Sequence, residues 1–335
     1  MAESQQIIAE IEQTGARLVE AREMIARRII GQDQVVEETL IAILCGGHGL
    51  LVGAPGLAKT RLVETLGTVL GLSAHRIQFT PDLMPADILG AEVLETGPDG
   101  SRTFRFIDGP IFCQLLMADE INRASPRTQS ALLQAMQEKE VSVAGQRRPL
   151  PAPFHVLATQ NPIEQEGTYP LPEAQLDRFL LQIDVDYPDR DAERAIVLAT
   201  TGVDEAMAEP VFSPETLIEA QTLIRRLPVG EAVVERILDL VRSARPGTDD
   251  AHPAVRDAVS WGPGPRAAQA LMLAIRARAL IQGRLVPDLD DVAALARPVL
   301  IHRMALGFAA RAEGQTLDAL IARLVDDVAG VEAAA

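Results

Sequence analysis

Hydrophobic and polar positions divide the chain into two parts, with the change near residue 190. Before that point, short apolar runs alternate with segments of helical periodicity. The runs lie at 49–52, 75–79, 114–118, 154–159 and 179–185. Beyond that point, nearly every segment has helical spacing, at 191–200, 214–226, 230–243, 265–282 and 288–305. Apolar strands that alternate with helices are typical of a parallel sheet covered on both faces. The pattern therefore predicts an α/β domain with five parallel strands, followed by a smaller all-α domain.

Helical spacing also surrounds the first strand. Apolar residues set among charges predict an amphipathic helix over 5–29, a second over 33–44 and a third over 59–70. Ser125-Pro126 predicts a further helix that runs to about Glu138, since proline is favoured in the first helical turn.

Turn-forming residues predict two hairpins within the first domain. The stretches 91–96 and 101–107 flank Gly97-Pro98-Asp99-Gly100, which is a hairpin signature. Residues 139–150 predict a second hairpin around Ala144-Gly145. Both hairpins interrupt the alternation of strands and helices, so we expect them to be insertions that stand outside the main sheet.

Composition supports this division into domains. The length of 335 residues exceeds what one ordinary core contains. Hydrophobic residues make up 47% and aromatic residues only 3%, so the core is built from Leu, Ile, Val and Ala, which favours α/β or helical architecture. We therefore predict an N-terminal helix at 1–28, an α/β core at 29–200 and a helical domain at 210–335.

Charge and cysteine usage narrow the possible partners and location. The formal net charge of −16 disfavours nucleic acid as a partner. The N-terminus lacks the apolar centre of a signal peptide, and no run approaches the roughly 18 apolar residues of a membrane span. Cys45 and Cys113 lie beside apolar stretches, as reduced buried thiols do, so we expect a cytoplasmic protein. The five histidines are scattered and predict no metal cage.

A glycine-rich loop with the sequence GAPGLAKT follows the first strand and opens a helix. In such a P-loop, backbone N–H groups and the positive end of the helix surround phosphates. Lys59 would reach the β- and γ-phosphates, and the Thr60 hydroxyl would bind Mg²⁺. Ala58 stands where glycine is usual, and we expect it to enter the helix with a negative φ. The predicted nucleotide-binding residues are Gly53, Ala54, Pro55, Gly56, Leu57, Ala58, Lys59, Thr60 and Arg61.

Two carboxylates follow the apolar run Leu115-Leu116-Met117-Ala118, 60 residues beyond Lys59. Ligands of open α/β sheets bind at the carboxyl ends of the strands, which is where Asp119 and Glu120 are predicted. Asp119 would hold Mg²⁺, mostly through water, and Glu120 would orient and deprotonate the attacking water. Together with the P-loop, this pair predicts that the chain binds ATP with Mg²⁺ and hydrolyses it.

Four longer strings of the sequence resemble the MoxR family of AAA+ ATPases. They are GAPGLAKT, LLMADEINRASPRTQSALLQAMQE, ATQNP and EGTYPLPEAQLDRF, and the resemblance runs from about Ile29 into the helical C-terminus. The resemblance implies an AAA+ P-loop core followed by a helical lid domain. It also implies that 81–108 is a helix-2 insert and that 139–153 is a pre-sensor hairpin, which in related rings faces the central pore.

The resemblance assigns roles to three polar residues outside the two motifs. Asn161 matches sensor 1, which holds the attacking water or senses the γ-phosphate; the alternative is a turn residue. Arg178 matches an arginine finger that enters the neighbouring subunit's site; the alternative is an ion pair with Asp177 or Glu173. Arg266 matches sensor 2, which would touch the γ-phosphate from the second domain; the alternative is an arginine on a helix face.

Further residues match the family less specifically. Ile30 and Gly31 resemble the segment that packs against adenine. Arg123 could act at a subunit interface or form a salt bridge beside the carboxylates. Arg147 and Arg148 near the second hairpin's tip could contact an acidic partner or nucleic acid, or they could simply be solvated.

The resemblance implies a chaperone-like ATPase that works as a homo-oligomer, a hexameric ring. Its clients would be protein complexes that need activation or metal cofactor insertion, and its partner a protein with a von Willebrand factor A domain. Three alternatives remain at this point: the ATPase subunit of a chelatase-like complex, a nucleic-acid motor, and a scaffold that binds ATP but turns it over slowly.

Overall fold

The structure is a computed structural model, and it describes residues 2–96, 98, 101–163, 167–202 and 207–333, with side chains between residues 8 and 328. The strands are β1 Gly49–Gly53, β2 Ala74–Gln78, β3 Gly90–Thr96, β4 Arg102–Asp108, β5 Leu115–Asp119, β6 Glu140–Val143, β7 Gln146–Pro149, β8 His155–Gln160, β9 Leu181–Val185, β10 Val259–Trp261 and β11 Ala305–Leu306. The helices are α1 Ala2–Ala26, α2 Asp33–Leu44, α3 Lys59–Val69, α4 Pro85–Leu89, α5 Pro126–Glu138, α6 Glu173–Leu176, α7 Arg190–Thr200, α8 Pro214–Arg226, α9 Glu231–Ser243, α10 Pro253–Arg256, α11 Pro265–Ile281, α12 Leu289–Leu300, α13 Phe308–Ala312 and α14 Leu317–Ala333. Two short 3₁₀ turns lie at Ile121–Arg123 and Ile301–Arg303.

The predicted parallel sheet is confirmed. Its five strands lie in the order β2-β5-β8-β1-β9, and every neighbouring pair is parallel. The middle strand is β8, and β1 lies beside it, between β8 and the edge strand β9. Because all five strands run in the same direction, the loops after β1, β5 and β8 emerge at one edge of the sheet. The loop that precedes β9 lies at the opposite edge.

Alternate residues of the strands face two hydrophobic clusters, one on each side of the sheet. Leu51 and Leu157 belong to a large cluster that also contains buried residues of α1, α2, α3 and the C-terminal helices. Leu50 and Val156 belong to a smaller cluster with α5 and the two insertions. We call the C-terminal helical part, α8 to α14, the lid. The lid and the α/β core thus share one continuous hydrophobic cluster.

The N-terminal helix contributes to the contact between the core and the lid. Ile11, Leu18, Ala21 and Ile25 are buried, at spacings of seven, three and four residues that place them on one helix face. This helix contacts α2 and α3 of the core, and α8 and α11 of the lid. The described helices of the chain are too short or too polar to traverse a bilayer.

Both insertions are antiparallel hairpins. The strands β3 and β4 pair from Gly90 with Asp108 to Thr96 with Arg102, although most of the predicted turn, at Gly97, Asp99 and Gly100, lies outside the described residues. The second hairpin pairs β6 with β7 through Ala144 and Gly145, whose φ values of 50° and 78° are those of a tight turn.

The prediction of a helix over 288–305 is wrong in its last turn. Helix α12 ends at Leu300, and β11 then pairs antiparallel with β10. The break allows His302 and Arg303 to turn towards the core, where both side chains are buried and contact the carbonyl oxygen of Phe179. Helical periodicity did not reveal this turn because burial against another part of the chain decides it.

Buried neutral histidines link segments at the amino edge of the sheet. His48 accepts a hydrogen bond from the Val156 N–H at 3.0 Å, and its other ring nitrogen lies 3.2 Å from the Met136 carbonyl oxygen. His155 donates to the Gly47 carbonyl oxygen at 2.9 Å. Burial lowers the pKa of His48 to about 3 and that of His155 to about 4.

These pKa values predict a loss of stability in mild acid. The unfolded chain takes up protons near pH 6.5, whereas folded His155 stays neutral down to about pH 4, so stability falls as the pH drops below 6.5. Each such histidine contributes a slope of about 1.4 kcal/mol per pH unit. The free energy of unfolding in urea is measured at pH 6.5 and at pH 5. Its decrease between these two pH values should be about 2 kcal/mol smaller in His155→Gln than in the wild type. An equal difference in both proteins would contradict this account.

Candidate active site

The P-loop starts where β1 ends, at Gly53. A Cβ on Gly53 would lie 2.3 Å from the Val185 carbonyl oxygen, so the approach of β9 requires glycine at this position. The loop leads into α3, whose first residue is Lys59. The Lys59 ammonium donates to the carbonyl oxygens of Gly53 at 2.6 Å and Ala54 at 3.1 Å. Lys59 is therefore folded over the loop whose backbone would surround a phosphate.

A cavity of about 450 Å³ opens beside this loop. Its walls come from the P-loop, from the start of α3 and from the carboxyl ends of β2, β5 and β8. The lining residues are Pro55, Gly56, Leu57, Ala58, Lys59, Thr60, Arg61, Arg76, Gln78, Asp119, Glu120, Thr159 and Asn161. The structure thus brings together the predicted lysine, the threonine, both carboxylates and the asparagine.

The two carboxylates are held by neighbouring side chains. The hydroxyl of Thr159 donates to Asp119 Oδ1 at 2.6 Å and accepts from the Glu120 N–H at 2.8 Å. The Arg76 guanidinium lies 2.6 Å from Asp119 Oδ2. Burial lowers the pKa of the Lys59 ammonium, and the charges of Asp119 and Glu120 oppose this effect. Sequence reasoning missed Thr159 and Arg76, because only the strand order shows that β2 and β8 flank β5.

Glu120 has partners on two further elements. Its Oε2 accepts from Gln78 at 2.7 Å and from Arg123 at 3.0 Å. The second contact places Arg123 in a salt bridge beside the carboxylates, one of the two alternatives for this residue. Asn161 is 5% exposed, and its Oδ1 accepts from the Ile163 N–H at 3.1 Å. Its amide is thereby fixed at the end of β8, on the cavity wall.

A second, more apolar cavity adjoins the first and shares Gly56, Leu57, Ala58 and Arg61 with it. Its other lining residues are Arg27, Arg28, Ile29, Ile30, Gln32, Pro188, Ile196, Ala199 and Thr200. Ile30, which was predicted to pack against adenine, lies on the wall of this cavity, where an apolar surface could pack against a base. The contribution of α7 was not predicted from the sequence.

Gly31 acts through the backbone rather than as a wall of this cavity. Its φ is 72°, and a Cβ on it would lie 2.3 Å from the Cβ of Ala192. Glycine therefore permits α7 to approach the segment that precedes α2.

The expectation of a negative φ at Ala58 is wrong. Its φ is 56°, in the left-handed region that glycine adopts without cost. The residue is the N-cap of α3 and lines both cavities. The loop must turn there before the helix begins, so the usual glycine has a backbone reason that the sequence alone did not show.

Arg178 lies at the opposite edge of the sheet from the P-loop. It precedes β9, whose Leu181 pairs with Gly49, whereas the P-loop begins at Gly53. The four strand residues between these levels span about 13 Å. Among the described residues, the Arg178 side chain has no hydrogen bond or salt bridge, so it forms no ion pair with Asp177.

Arg266 lies with Arg178 and away from the P-loop cavity of the same chain, so its predicted contact with a γ-phosphate stays a prediction. Its guanidinium is 3.4 Å from Asp177 Oδ2, and both arginines line a third cavity. Arg266 is not among the described residues that line the P-loop cavity. The reason lies in the position of the lid, which packs α11 towards the amino edge of the sheet.

The arginines of the second hairpin are engaged within the chain. Arg147 lies 3.4 Å from Glu140 across the hairpin. Arg148 stacks 3.9 Å from the ring centre of Phe106 and so joins the two insertions. Arg148 is thereby held against the first insertion, whereas the Arg147 side chain is still 79% exposed.

Comparisons with known proteins identify the family of both domains. Residues 48–181 match the ATPase family associated with various cellular activities, AAA, and residues 252–324 match the AAA lid domain. The chain is 42% identical over 305 residues to a Mycobacterium tuberculosis protein named Chaperone MoxR1, covering 91% of this chain and 80% of the relative. It is 33% identical over 300 residues to Protein MoxR of Methylorubrum extorquens, covering 84% of this chain and 85% of the relative.

The fold is shared with a solved structure. The crystal structure of a Cytophaga hutchinsonii protein named as a candidate ATPase superposes with a TM-score of 0.88 at 34% identity. The match covers 97% of this chain and 98% of the other. The similarity therefore includes both the core and the lid.

The conformation of Ala58 predicts that Ala58→Gly stabilises the protein. The left-handed conformation costs a non-glycine residue about 1–2 kcal/mol, and the substitution removes this strain. Glycine also raises the conformational entropy of the unfolded chain, which offsets part of that stabilisation. We expect the free energy of unfolding in denaturant to rise by about 0.5–1 kcal/mol. Ala54→Gly is the matched control, because Ala54 has no positive φ and should lose stability. Loss of stability in both variants would contradict the assignment.

Proposed function

This chain belongs to the MoxR family of AAA+ ATPases, and from that premise we propose that it hydrolyses ATP with Mg²⁺ in a ring of identical subunits. The single observation that carries the proposal is the separation of the catalytic groups. The lysine, carboxylates and asparagine lie at the carboxyl edge of the sheet, whereas Arg178 and Arg266 lie at the amino edge. In such a ring, the P-loop group of one subunit would face one neighbour, and its arginines would face the other neighbour.

ATP would lie across the two adjoining cavities, with the base at Ile30 and the phosphates along the P-loop. The N–H groups of Gly56 to Thr60 and the Lys59 ammonium would bind the phosphates once Lys59 releases the carbonyl oxygens of Gly53 and Ala54. Arg61 lines both cavities and would lie beside the sugar and phosphates. The polar and apolar walls match the polar and apolar parts of this ligand.

The residues present fit Mg²⁺. Thr60 and Asp119 provide hard oxygen ligands on one wall, and Asp119 is 8% exposed with a carboxylate turned to the cavity. A magnesium ion there would neutralise charge on the phosphates. The guanidinium of Arg76 holds the same carboxylate in this structure, so this residue must shift or share Asp119 when the metal binds.

Glu120 is the group best placed to activate water. It lies directly after β5, and its backbone N–H is fixed by Thr159. Its carboxylate would orient the attacking water and accept its proton after releasing Gln78 or Arg123. Asn161, on the adjacent strand, would hold the same water through its amide.

Arg178 and Arg266 would neutralise charge on the γ-phosphate of the neighbouring subunit. An arginine supplied in trans contributes about 10³–10⁵ to the turnover of comparable NTPases. This arrangement would make hydrolysis depend on assembly, and we propose the hexameric ring that the resemblance to the MoxR family implies. The functional units would be the N-terminal helix at 1–28, the core at 29–200 and the lid at 210–335.

The work of the ring would be to remodel or activate client protein complexes. The relative named Chaperone MoxR1 supports a chaperone-like role. A von Willebrand factor A domain partner, metal cofactor insertion into clients and a cytoplasmic location complete the proposal. A nucleic-acid motor is not favoured, because the net charge is −16.

The role of Glu120 predicts a trapped ATP complex. Glu120→Gln should keep micromolar ATP affinity but lose at least about 100-fold in turnover, because the amide cannot accept the proton from water. Binding of a fluorescent ATP analogue and phosphate release measure the two properties. Lys59→Ala is the control and should lose binding itself. Normal turnover in Glu120→Gln would remove this residue from the reaction.

The separation of the two half-sites predicts rescue by mixing variants. Arg178→Ala or Arg266→Ala alone should hydrolyse ATP slowly, and adding Lys59→Ala subunits should restore activity, because an intact P-loop then meets intact arginines at some interfaces. The control mixes Glu120→Gln with Lys59→Ala, which damage the same half of the site and should show no rescue. If Arg266→Ala is not rescued while Arg178→Ala is, Arg266 acts within its own chain.

A further inference from the structure

The segment that carries Arg178 is held by residues of the lid. We call residues 177–180 the finger loop. It lies between α6 and β9, and among its described contacts are hydrogen bonds from the 3₁₀ turn that follows α12. His302 contacts the Phe179 carbonyl oxygen at 3.1 Å, and Arg303 contacts three of the four loop residues.

Arg303 uses its whole guanidinium in these contacts. Its Nε donates to Asp177 Oδ1 at 2.8 Å, its Nη2 to the Phe179 carbonyl oxygen at 2.6 Å, and its Nη1 to the Leu180 carbonyl oxygen at 3.1 Å. Its Nη1 also donates to Val299 within the lid at 2.6 Å. The side chain is 2% exposed, so these oxygens replace water.

The contacts fix the backbone on both sides of Arg178 but leave its side chain free. Arg303 binds Asp177 before it and Phe179 after it, whereas the Arg178 guanidinium has no partner among the described residues. The loop backbone therefore fixes the point from which the Arg178 side chain starts and the direction of its Cα–Cβ bond. The other carboxylate oxygen of Asp177 contacts Arg266, so Asp177 is held by two arginines of the lid.

A hydrophobic residue would fill this buried position without the cost of burying a charge. Arginine instead provides a planar fork that binds a carboxylate and carbonyl oxygens in fixed directions, which the lysine ammonium cannot reproduce. The position thus favours accurate placement of the finger loop over simple packing.

We propose that Arg303 is the positioning residue for Arg178, so that each lid sets the competence of the neighbouring subunit's active site. The inference rests on the proposed function, in which Arg178 acts in trans. The link to the lid is direct, because Arg303 follows α12, and α12 packs against α9, α11 and α14. A shift of the lid would move Arg303 and, with it, the finger loop.

Arg303→Lys tests the proposal. Misplacing a catalytic group by about 1 Å can cost about 100-fold in rate, so we expect kcat for ATP to fall 10- to 100-fold. The affinity of the variant's own P-loop for ATP should change less than about twofold, because the P-loop lies at the other edge of the sheet. Adding Lys59→Ala subunits should restore turnover, since those subunits carry an intact finger loop.

Arg278→Lys is the matched control. Arg278 also lies in the lid and pairs with a fully buried carboxylate, that of Asp291, but it does not contact the finger loop among the described residues. It should retain wild-type kcat. Should Arg303→Lys fail to fold by circular dichroism, Asp177→Asn removes the charge of the same network and keeps its shape, and it should show the same loss and the same rescue.

A double variant separates positioning from a general structural role. In an Arg178→Ala background, adding Arg303→Lys should lower kcat by less than about twofold, because the group that it positions is already gone. A further large loss, wild-type kcat in Arg303→Lys, or failure of Lys59→Ala to rescue it would overturn the proposal. If Lys59→Ala also fails to rescue Arg178→Ala, the trans role of Arg178 itself fails, which is a different result.

Discussion

The polarity of the parallel sheet is the constraint on which the rest of the structure depends. All five strands point the same way, so their carboxyl ends form one edge and their amino ends the other. Loops at the carboxyl edge supply backbone N–H groups, a lysine and two carboxylates. The finger loop before β9 supplies Arg178 at the amino edge. A rigid sheet cannot bend these edges together, so in the proposed function the two groups of residues meet between subunits.

The position of the lid follows from a shared hydrophobic cluster rather than from contacts at the nucleotide. Buried residues of α1, α2 and α3 pack in the same cluster as those of α8 to α14. This packing carries the start of α11 and the turn after α12 to the amino edge. Arg266 and Arg303 consequently lie beside the finger loop, where each forms a salt bridge with Asp177.

The charged groups at the P-loop cavity have partners within the chain, and the backbone beside them is locally strained. Lys59 binds the carbonyl oxygens of its own loop, and Asp119 binds Arg76. Of the four non-glycine residues with positive φ in the described chain, Ala58 and Glu120 both line this cavity. Strained backbone positions persist at functional sites when the surrounding structure fixes them. Ligand binding would exchange these internal partners for phosphate and metal.

The sequence by itself predicted the five parallel strands and the residues that gather at the P-loop cavity. Periodicity predicted the five strands, and the spacing of the P-loop and the Asp119-Glu120 pair predicted one cavity, because motifs that end parallel strands share an edge. The sequence did not show the sign of φ at Ala58, the pairing of Arg76 with Asp119 or the end of α12 at Leu300. Nor did it show that Arg266 lies beside Arg178. The local pattern of apolar and polar residues reflects secondary-structure propensity and burial. These features depend instead on strand order and on how the lid packs. Only the tertiary structure could decide them, because each joins residues that are distant in the chain or a backbone turn that its neighbours impose.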